Sequence, residues 1–556
     1  MPTRNQRFPC LRFSRGRPNG NFLGSSRPKS ARRAIVCGRT LRRGLAAAGL
    51  LVFASAAQAE TPPRFVDHTA AQPFAHVYGG GWEHFVGGGV AVFDCNDDRL
   101  PDFLVAGGEN RARLLVNRTG GPGAALAFDE RTGPALTGTI GAYPLDIDGD
   151  GVLDLAVLRV GENVLLKGHG ACRFTRANGA WSFDGGGAWT TAFSATWEAE
   201  TWPTLAFGNY VDRAREDGPF EACDANRLYR PVGQGYGPPT ALVPGYCALS
   251  MLFSDWRRAG ARDLRITNDR HYYVHGGAEQ LWRIDGTARP YRAEDGWQTL
   301  GIWGMGIASR DLTGDGLPEV FLTSMGDQKL RQLADDAAGP TYRDTAYARG
   351  VTATVPYTGG DGRPSSGWHA AFGDVDNDGL DDLFIAKGNV EQMPDAAIAD
   401  PNNLLMQQPD GRFVERGGEA GLASVARGRG AALVDLNRDG RLDIVVVNRG
   451  APLELYENAT PGTGAWLAVG LAQAGANRRA VGAWIEVADG TRTWHREVTV
   501  GGGHAGGAAV PAHFGLGAAR AVTVRVVWPD GTATGPFETK LNRAVLIDRA
   551  AGLVDR

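Results

Sequence analysis

A short acidic segment recurs along this chain and constrains its fold more than any other feature. Four copies share the pattern Asp-x-(Asp/Asn/Thr)-x-Asp-Gly-x-x-(Asp/Glu), and they begin at Asp146, Asp311, Asp374 and Asp435. A fifth copy begins at Asp94 and lacks the glycine. Each copy is followed by a short apolar run that is typical of a β-strand. Self-similarity of this kind indicates an array of similar modules around a common core.

Two gaps in the series are long enough to hold degenerate copies, which we place at Asn209 and Asp255. The seven starting positions then lie 46 to 63 residues apart, which suits one four-stranded antiparallel blade with its loops. An aromatic residue opens a strand between successive copies, and a similar opening at Phe65 precedes the first copy. We therefore predict an all-β, seven-bladed β-propeller whose last blade is completed by the strand at Phe65. An open β-solenoid fits neither the unit length nor this split blade, and it would leave sheet edges exposed.

The residue types of the segment suit calcium. Ca²⁺ takes about six to eight oxygen ligands at about 2.3–2.6 Å. Side chains at positions 1, 3, 5 and 9 and the carbonyl of position 7 converge, and glycine at position 6 permits the sharp turn. Carboxylates packed this closely repel one another unless a divalent cation lies among them. An EF-hand is excluded because position 12 is an apolar strand residue in the four glycine-containing copies, and acidic turns without metal remain the alternative.

We predict a calcium ligand at each of these five positions in all five copies. The predicted ligands are Asp94, Asn96, Asp98, Leu100 and Asp102; Asp146, Asp148, Asp150, Val152 and Asp154; Asp311, Thr313, Asp315, Leu317 and Glu319; Asp374, Asp376, Asp378, Leu380 and Asp382; and Asp435, Asn437, Asp439, Arg441 and Asp443. The loops at Asp146 and Asp374 have complete carboxylate sets and should bind best, ahead of those at Asp435 and Asp311. The loop at Asp94 is the weakest candidate, and the two degenerate copies should be empty and held by packing alone.

These segments resemble the FG-GAP/VCBS repeats of integrin α-subunit propellers and of many secreted bacterial proteins. In that family the same loops bind Ca²⁺ between the strands of a blade. The resemblance implies an integrin α-like propeller over residues 60–460 and a structural role for the metal, and it says little about activity.

The acidic copies stop near Trp466, where short alternating strands with Asp-Gly turns predict a small antiparallel β-domain over residues 466–550. This part closely resembles the ASPIC/UnbV domain in its Asn-Arg-x-x-Val-Gly-Ala segment from Asn477, its His-Phe-Gly-Leu-Gly segment from His513 and its Trp-Pro-Asp-Gly turn from Trp528. The whole arrangement resembles the cartilage acidic protein family and its bacterial relatives, for which adhesion or protein binding is inferred. The glycine-rich loop 503–507 reads Gly-His-Ala-Gly-Gly where relatives usually have a Ser-Gln pair, so a family ligand contact is not carried over to it.

The N-terminal segment indicates export. Residues 1–59 hold 12 of the 58 basic residues and none of the 61 acidic ones. Arg42 and Arg43 precede the apolar run 45–57, which ends in Ala57-Gln58-Ala59. This is typical of a signal peptide cleaved after Ala59, and the run is too short for a permanent membrane span. We expect a secreted or periplasmic protein without a transmembrane segment after removal of this leader.

Four cysteines remain after the leader, and outside the cytoplasm they can form two disulfides. They are Cys95, Cys172, Cys223 and Cys247. Three pairings are open, and we favour Cys223 with Cys247 because they flank one hairpin-sized segment.

The mature chain is acidic, which argues against nucleic acid as a partner and suits cation binding. We predict a non-catalytic, calcium-binding propeller that binds a protein or glycan partner, and the glycine- and tryptophan-rich loop tips 79–82 and 185–189 are candidates for the interaction face. The alternative is a polysaccharide lyase or hydrolase on the same scaffold, which would need a convergent acid–base set. The candidate histidines for such a set are His68, His76, His84, His369 and His504. The sequence shows no nucleophile–base motif beside them, and the tryptophans lack the blade period that a quinoprotein would have.

Overall fold

Short strands make up most of the structure, a computed structural model that describes residues 62–555 except 134, 216–221, 270–276, 336–337, 359 and 361. The predicted signal peptide and its cleavage site lie outside the described residues. Two four-residue helices occur, α1 (Ala346–Arg349) and α2 (Gly417–Ala420), together with 3₁₀ turns at Thr69–Ala71, Trp82–His84 and Ala293–Asp295. In the part of the chain that the structure describes, no helix is long and apolar enough to cross a membrane.

Seven four-stranded antiparallel arrangements follow one another along the described chain, and we number them blades 1 to 7. The first strand, β1 (Phe65–Asp67), belongs to blade 7. Blades 1 to 3 contain β2 (Val90–Phe93), β3 (Asp102–Val105), β4 (Arg113–Asn117) and β5 (Phe128–Arg131); β6 (Thr139–Leu145), β7 (Asp154–Arg159), β8 (Val164–Gly168) and β9 (Phe174–Arg176); and β10 (Thr190–Thr196), β11 (Thr204–Asn209), β12 (Asn226–Tyr229) and β13 (Thr240–Leu242).

Blades 4 to 7 repeat the same order. They contain β14 (Ala248–Ser254), β15 (Asp263–Asn268), β16 (Gln280–Arg283) and β17 (Arg289–Pro290); β18 (Gly304–Arg310), β19 (Glu319–Ser324), β20 (Lys329–Leu333) and β21 (Tyr342–Asp344); β22 (Gly367–Gly373), β23 (Asp382–Lys387), β24 (Asn403–Gln407) and β25 (Phe413–Glu415); and β26 (Arg427–Val434), β27 (Asp443–Arg449) and β28 (Glu454–Asn458) with β1.

The blades form a closed ring. Strand β1 pairs antiparallel with β28, with Phe65 opposite Asn458, so the N-terminal strand completes blade 7 as predicted. The first strands of successive blades contact one another in order, and β2 of blade 1 contacts β26 of blade 7. These first strands are buried along most of their length because they face neighbours on both sides. The all-β class and the propeller fold are confirmed.

Apolar residues of adjacent blades fill the space between them. Phe384 of blade 6 and Ile444 of blade 7, both completely buried, share one cluster with Phe65 of the closing strand. Truncation of a large side chain in such a core costs about 3–5 kcal/mol, because a cavity remains. The closing strand is therefore anchored by its side chains as well as by its sheet hydrogen bonds.

Our placement of a degenerate copy at Asn209 is wrong. In the other blades the acidic copy joins the first strand to the second, whereas Asn209 is the last residue of β11, the second strand of blade 3. The equivalent connection in blade 3 is residues 197–203, between β10 and β11. The apolar-Gly-polar run around 207–209 resembles the end of a first strand in letters only, because a buried second strand is built from the same residue types.

Two further sheets follow blade 7 and share one apolar core. The first contains β29 (Ala465–Ala472), β33 (Ala512–Gly517), β36 (Arg543–Asp548) and β37 (Gly552–Asp555); the second contains β30 (Trp484–Ala488), β31 (Thr493–Glu497), β34 (Val522–Val527) and β35 (Ala533–Thr539); β32 (Ala508–Ala509) leaves them and pairs with β2. The pairing is not wholly antiparallel as predicted, because β29 and β36 run parallel. Leu467 and Ile485, from the two sheets, are both completely buried in the shared core.

Two disulfides connect parts of the ring. Cys95, in the connection between β2 and β3, pairs with Cys172 in the turn between β8 and β9. Cys223 pairs with Cys247, so the favoured pairing is confirmed. Stable disulfides fit an extracytoplasmic protein.

Candidate functional site

Each predicted metal loop lies between the first and second strands of its blade, and its first aspartate organises the turn. In blade 2 the carboxylate of Asp146 accepts hydrogen bonds from the N–H groups of Gly149 and Gly151, at 2.9 and 3.0 Å. Gly151 has a φ of 94°, a left-handed conformation that favours glycine. In blade 1 the same place is taken by Arg99 at a φ of 70°, which explains how a loop without the glycine still adopts the turn.

The last acidic residue of the loops in blades 1, 2, 6 and 7 has a structural function that the sequence analysis did not identify. Asp154 accepts a hydrogen bond from the N–H of Ile147 inside the loop and another from Gly168 on β8, both at 2.8 Å. The equivalent carboxylates, Asp102, Asp382 and Asp443, each accept one N–H bond from the loop and one from the third strand of their own blade. This residue therefore fixes the loop to the blade whether or not it also binds a metal.

Two loops bring three carboxylates into one cluster. Oxygen atoms of Asp146, Asp148 and Asp154 in blade 2 all lie within 4.8 Å of one another, and those of Asp374, Asp376 and Asp382 in blade 6 do the same. These are the two loops with complete carboxylate sets. Cys95, Asp102 and Cys172 also lie close together, but both sulfurs are in a disulfide and are not thiolate ligands.

Burial makes four of these six carboxylates poor anions in the absence of a cation. Burial raises the pKa of Asp146 to about 6 and that of Asp154 to about 8. In blade 6, burial and then the neighbouring carboxylates hold the pKa of Asp374 well above its ordinary value, and burial foremost does the same for Asp382. A divalent cation with oxygen ligands would remove this penalty, since it favours the ionised form of every carboxylate around it. The donor set therefore fits Ca²⁺.

Basic side chains of the protein already lie beside three of the loops. The ammonium group of Lys167 contacts Asp148 and lies 2.8 Å from Asp150 in blade 2. In blade 7 the guanidinium of Arg441 contacts Asp439. In blade 5 the Nδ1 atom of His495 lies 2.8 Å from Oδ2 of Asp311. The lysine and the arginine supply positive charge that a metal would otherwise supply, and the histidine occupies a carboxylate oxygen of its loop, so the loops differ in more than their ligand sets.

The blade 5 loop shows the effect of such a partner on a carboxylate. Burial raises the pKa of Asp311, but the hydrogen bonds from His495 and from the backbone of Gly314 and Gly316 outweigh it. The net shift of the Asp311 pKa is downward. Glu319, at the end of the same loop, keeps a pKa raised to about 7, chiefly by burial.

The loop of blade 4, which we predicted to be empty and held by packing alone, is held by hydrogen bonds. Asp255 accepts bonds from the N–H groups of Ala259 and Gly260, at 2.8 and 2.6 Å. At the final position the carboxylate of Asp263 accepts bonds from Trp256 Nε1 and from the Tyr291 hydroxyl. Aromatic donors thus take the place of backbone N–H groups, and the loop keeps its shape without the other acidic ligands.

The C-terminal sheets cover the blade 6 loop. The N–H groups of Gly464 and Gly517 donate to the carbonyls of Asp376 and Asn377, at 2.9 and 2.8 Å. Trp494 Nε1 donates to the carbonyl of Gly379 at 2.8 Å. Three peptide carbonyls of this loop thus accept hydrogen bonds from the C-terminal part of the chain.

The His-Phe-Gly-Leu-Gly segment makes two further contacts with this loop. His513 Nε2 donates to Asn377 Oδ1 at 2.8 Å. Burial lowers the pKa of His513 to about 3, so the ring next to the loop is neutral. Gly515 lies directly against the carboxylate of Asp374, where a Cβ atom would collide with Oδ2. The His-Phe-Gly-Leu-Gly segment, which the sequence analysis noted only as a family resemblance, therefore packs against the predicted metal loop of blade 6.

Comparison with known families agrees with this arrangement. Residues 473–553 match the model described as ASPIC and UnbV, and residues 94–157 match the FG-GAP-like repeat. The chain joins FG-GAP-like repeats to an ASPIC and UnbV domain. Cartilage acidic protein 1 of Xenopus tropicalis is 30% identical over 162 residues, and that of Homo sapiens is 29% identical over 164 residues. Each match covers 28% of this chain and 22% of the relative, so the chain matches about a fifth of the length of these relatives.

Solved structures give a more distant likeness. The complex of BBS1N with ARL6DN matches at a TM-score of 0.40 and 9% identity, over 72% of this chain and 99% of that chain. The BP39L lectin of Burkholderia pseudomallei matches at a TM-score of 0.38 and 10% identity, over 81% and 99%. Likenesses at these levels carry no information about ligand or partner.

The glycine-rich loop of the ASPIC and UnbV domain enters the centre of the propeller. The N–H groups of Gly502 and Gly503 donate to the carbonyls of Met251 in blade 4 and Ile307 in blade 5, both at 2.7 Å. On the other side, the carbonyl of Ala505 accepts a bond from the N–H of Ala142 in blade 2. The loop that departs from the family pattern is therefore occupied by contacts with the propeller's own first strands. The sequence carried no signal of this, because its partners lie hundreds of residues away.

Four of the five candidate histidines are held by hydrogen-bond or ion-pair contacts within the protein. His76 Nε2 lies 2.8 Å from the Ala106 carbonyl, and burial lowers the pKa of His76 to about 4. His369 Nδ1 accepts a bond from the N–H of His504, and burial likewise lowers the pKa values of these two, to about 4 and about 3. His68 lies 2.7 Å from Glu457 on β28. Only His369 and His504, among the five, are brought together.

Proposed function

We propose that this chain is an exported, calcium-dependent binding module whose partner is a protein or a glycan. The observation that carries the proposal is the pair of three-carboxylate clusters in blades 2 and 6, each on a partly buried loop of a propeller. The match of residues 94–157 to the FG-GAP-like repeat supports the same reading for the blade 2 loop.

The residues that would hold the ion are Asp146, Asp148 and Asp154 in blade 2 and Asp374, Asp376 and Asp382 in blade 6. Bound calcium supplies the positive charge that keeps the buried carboxylates of Asp146, Asp154, Asp374 and Asp382 ionised. The carboxylates keep their backbone hydrogen bonds, so metal and loop geometry reinforce one another. A rigid loop set makes the propeller a stable platform for its interaction surface.

We place the interaction surface at the ends of the blades opposite the metal loops. The two loop tips noted in the sequence meet there: Trp82 packs edge-on against Trp189, with ring centroids 5.7 Å apart. Trp189 is completely buried and supports the loop, whereas Trp82 is 37% exposed. Beside it Glu83 pairs with Arg213. An exposed tryptophan held by a buried one offers a rigid face for a sugar ring or an apolar protein side chain.

Thermal unfolding of the purified full chain with Ca²⁺, with Mg²⁺ and with a chelator tests the metal. We expect Ca²⁺ to raise the midpoint by several degrees and Mg²⁺ to raise it less, since a ligand that binds only the folded state stabilises it. Asp376→Asn should reduce the calcium shift. Lys167→Met should raise the calcium affinity about two- to fivefold, because it removes a partly exposed ammonium that competes for the blade 2 carboxylates.

Lys329→Met is the matched control, since this lysine pairs with Asp344 outside the metal loops. It should change neither the calcium shift nor the calcium affinity. A midpoint that is the same in Ca²⁺ and chelator, with no metal in the purified protein, would leave the loops as acidic turns and refute the calcium part of the proposal.

Binding to a glycan array and to a panel of extracellular proteins tests the interaction surface. Trp82→Ala should weaken partner binding at least about tenfold, as expected for a central aromatic anchor, without lowering the thermal midpoint. Tyr347→Ala removes another large aromatic side chain, which is 89% exposed elsewhere, and should leave binding unchanged. Equal effects of the two substitutions would place the partner on another surface.

A further inference from the structure

A cavity of about 270 Å³ lies between the propeller and the ASPIC and UnbV domain. On the propeller side it is lined by the first strands of blades 5, 6 and 7, and on the other side by β31 and the glycine-rich loop. Small residues such as Ala371, Ala431 and Gly502 form much of its wall. The volume exceeds by more than half the roughly 150 Å³ cavity known to hold benzene, so a molecule of monosaccharide size fits.

Two arginines line this cavity with unused hydrogen-bond donors. The side chain of Arg496 is 4% exposed, and its Nη2 atom lies 2.9 Å from the carboxylate of Asp381. Arg310 donates through Nη2 to the carbonyl of Phe372 at 3.0 Å, and its Nε lies 3.8 Å from Asp381. Among the residues that the structure describes, neither Nε has a hydrogen-bond acceptor. Buried donors of this kind are costly to leave unpaired, so an acceptor from a ligand would stabilise them.

The remaining polar groups around the cavity also favour a ligand that accepts hydrogen bonds. His369 lines the cavity, and because its Nδ1 accepts the bond from His504, its proton resides on Nε2. The carboxylate of Asp311 is paired with His495. The carboxylate of Glu497 accepts bonds from the N–H of Asp255 and the Ser254 hydroxyl, and burial raises its pKa to about 7. The acidic groups around the cavity are thus engaged, whereas the Nε donors of the two arginines are available.

We propose that this cavity binds a carboxylate-bearing molecule of monosaccharide size, with its carboxylate on Arg310 and Arg496. The planar guanidinium matches a carboxylate geometrically, which a lysine ammonium does not. His369 Nε2 and the hydroxyls of Ser309 and Thr499, which also line the cavity, suit the hydroxyl groups of such a molecule. The inference goes beyond the proposed function, since this site needs neither a metal nor the surface around Trp82.

Isothermal titration calorimetry of the full chain with glucuronate, methyl glucoside and sulfate tests this site. We expect glucuronate to bind, and the uncharged methyl glucoside to bind at least about tenfold more weakly. Arg310→Lys keeps the charge and removes the planar donors, so it should weaken glucuronate binding about tenfold. Ala371→Leu fills the cavity and should abolish binding, with thermal unfolding as the check on folding.

Arg262→Lys is the matched control. Arg262 lies in the same interface, where it donates to the carbonyls of Pro529 and Trp197, and it does not line the cavity. It should bind glucuronate as the unaltered chain does. The proposal is overturned if glucuronate does not bind, if methyl glucoside binds equally well, if sulfate binds and glucuronate does not, or if Arg310→Lys behaves like Arg262→Lys.

Discussion

At the scale of single residues, two buried acidic side chains show opposite degrees of hydrogen bonding. Asp154, which ends the blade 2 loop, has both carboxylate oxygens bonded to backbone N–H groups. Glu279, just before β16, is different: it is 2% exposed, one oxygen accepts the N–H of Asn268 at 3.0 Å, and the other has no partner among the described residues. Burial raises the pKa of Glu279 to about 8, which keeps it protonated at neutral pH.

Glu279 should therefore make stability depend on pH. Its folded pKa lies above that of the unfolded chain, so the folded state holds a proton that the unfolded state releases, and stability falls as pH rises from about 4.5 to about 8. Glu279→Gln cannot titrate. Between pH 5 and 8 we expect the unaltered chain to lose on the order of 3 kcal/mol of unfolding free energy relative to the variant.

Chemical denaturation at a series of pH values measures this shift. Glu130→Gln, at an acidic residue exposed to solvent on β5, is the control and should show no such trend. Parallel pH profiles of the unaltered chain and Glu279→Gln would mean that Glu279 is ionised in the folded protein.

At the scale of elements, the connection between β22 and β23 is as much a docking site as a turn. Strand β33 lies against it through Gly515, and the N–H of Gly517 bonds to the Asn377 carbonyl. Any side chain at position 515 would force the strand away from Asp374. The contact of this strand with a propeller loop therefore depends on the absence of a side chain.

Gly515→Ala should lower stability by about 2 kcal/mol or more, since the added methyl group collides with a buried carboxylate and separates two packed elements. Thermal unfolding and limited proteolysis between residues 458 and 465 measure the effect. Gly418→Ala, at a helical glycine with nothing near its added Cβ, should be neutral or slightly stabilising. Equal midpoints for the two variants would show that β33 does not rest on this loop.

The repeat predicted the elements well where the information is local. An aspartate, a glycine at position 6 and an apolar run together specify a turn followed by a strand, and this placed the loops of blades 2, 5, 6 and 7. The loops of blades 1 and 4 were placed by partial copies of the same pattern. Blade 3 was misplaced because its connection, 197–203, lacks the acidic pattern and a similar run occurs one strand later. The basic partners of the loops could not be predicted, because no sequence pattern connects Lys167, Arg441 or His495 with the carboxylate that it contacts.

At the scale of the whole molecule, the repeats and the ASPIC and UnbV domain form one unit. The N–H of Val92 bonds to the carbonyl of Gly507, and that of Gly87 to the ring of His504. These contacts join residues more than four hundred positions apart, which no local pattern encodes. The sequence therefore indicated two modules side by side and gave no sign that one fills the centre of the other.

We expect the two parts to unfold in one cooperative transition. The C-terminal sheets cannot leave without exposing the first strands of the blades and the buried ends of the glycine-rich loop, so neither part is independently stable in its native packing. Differential scanning calorimetry of the full chain should show a single peak whose calorimetric and van 't Hoff enthalpies agree. Two resolved peaks would mean that the propeller holds its shape without the domain.

The insertion of the glycine-rich loop into the centre of the ring also constrains how the protein folds during synthesis. A ribosome delivers β1 first and residues 500–507 near the end, yet β1 pairs with β28 and the loop fills the middle of the ring. The first strands of the early blades thus remain uncovered by the glycine-rich loop until some four hundred further residues have been synthesised. During that interval the nascent chain depends on being held apart from other chains, and a truncated product that stops before residue 500 leaves the ring permanently open at its axis.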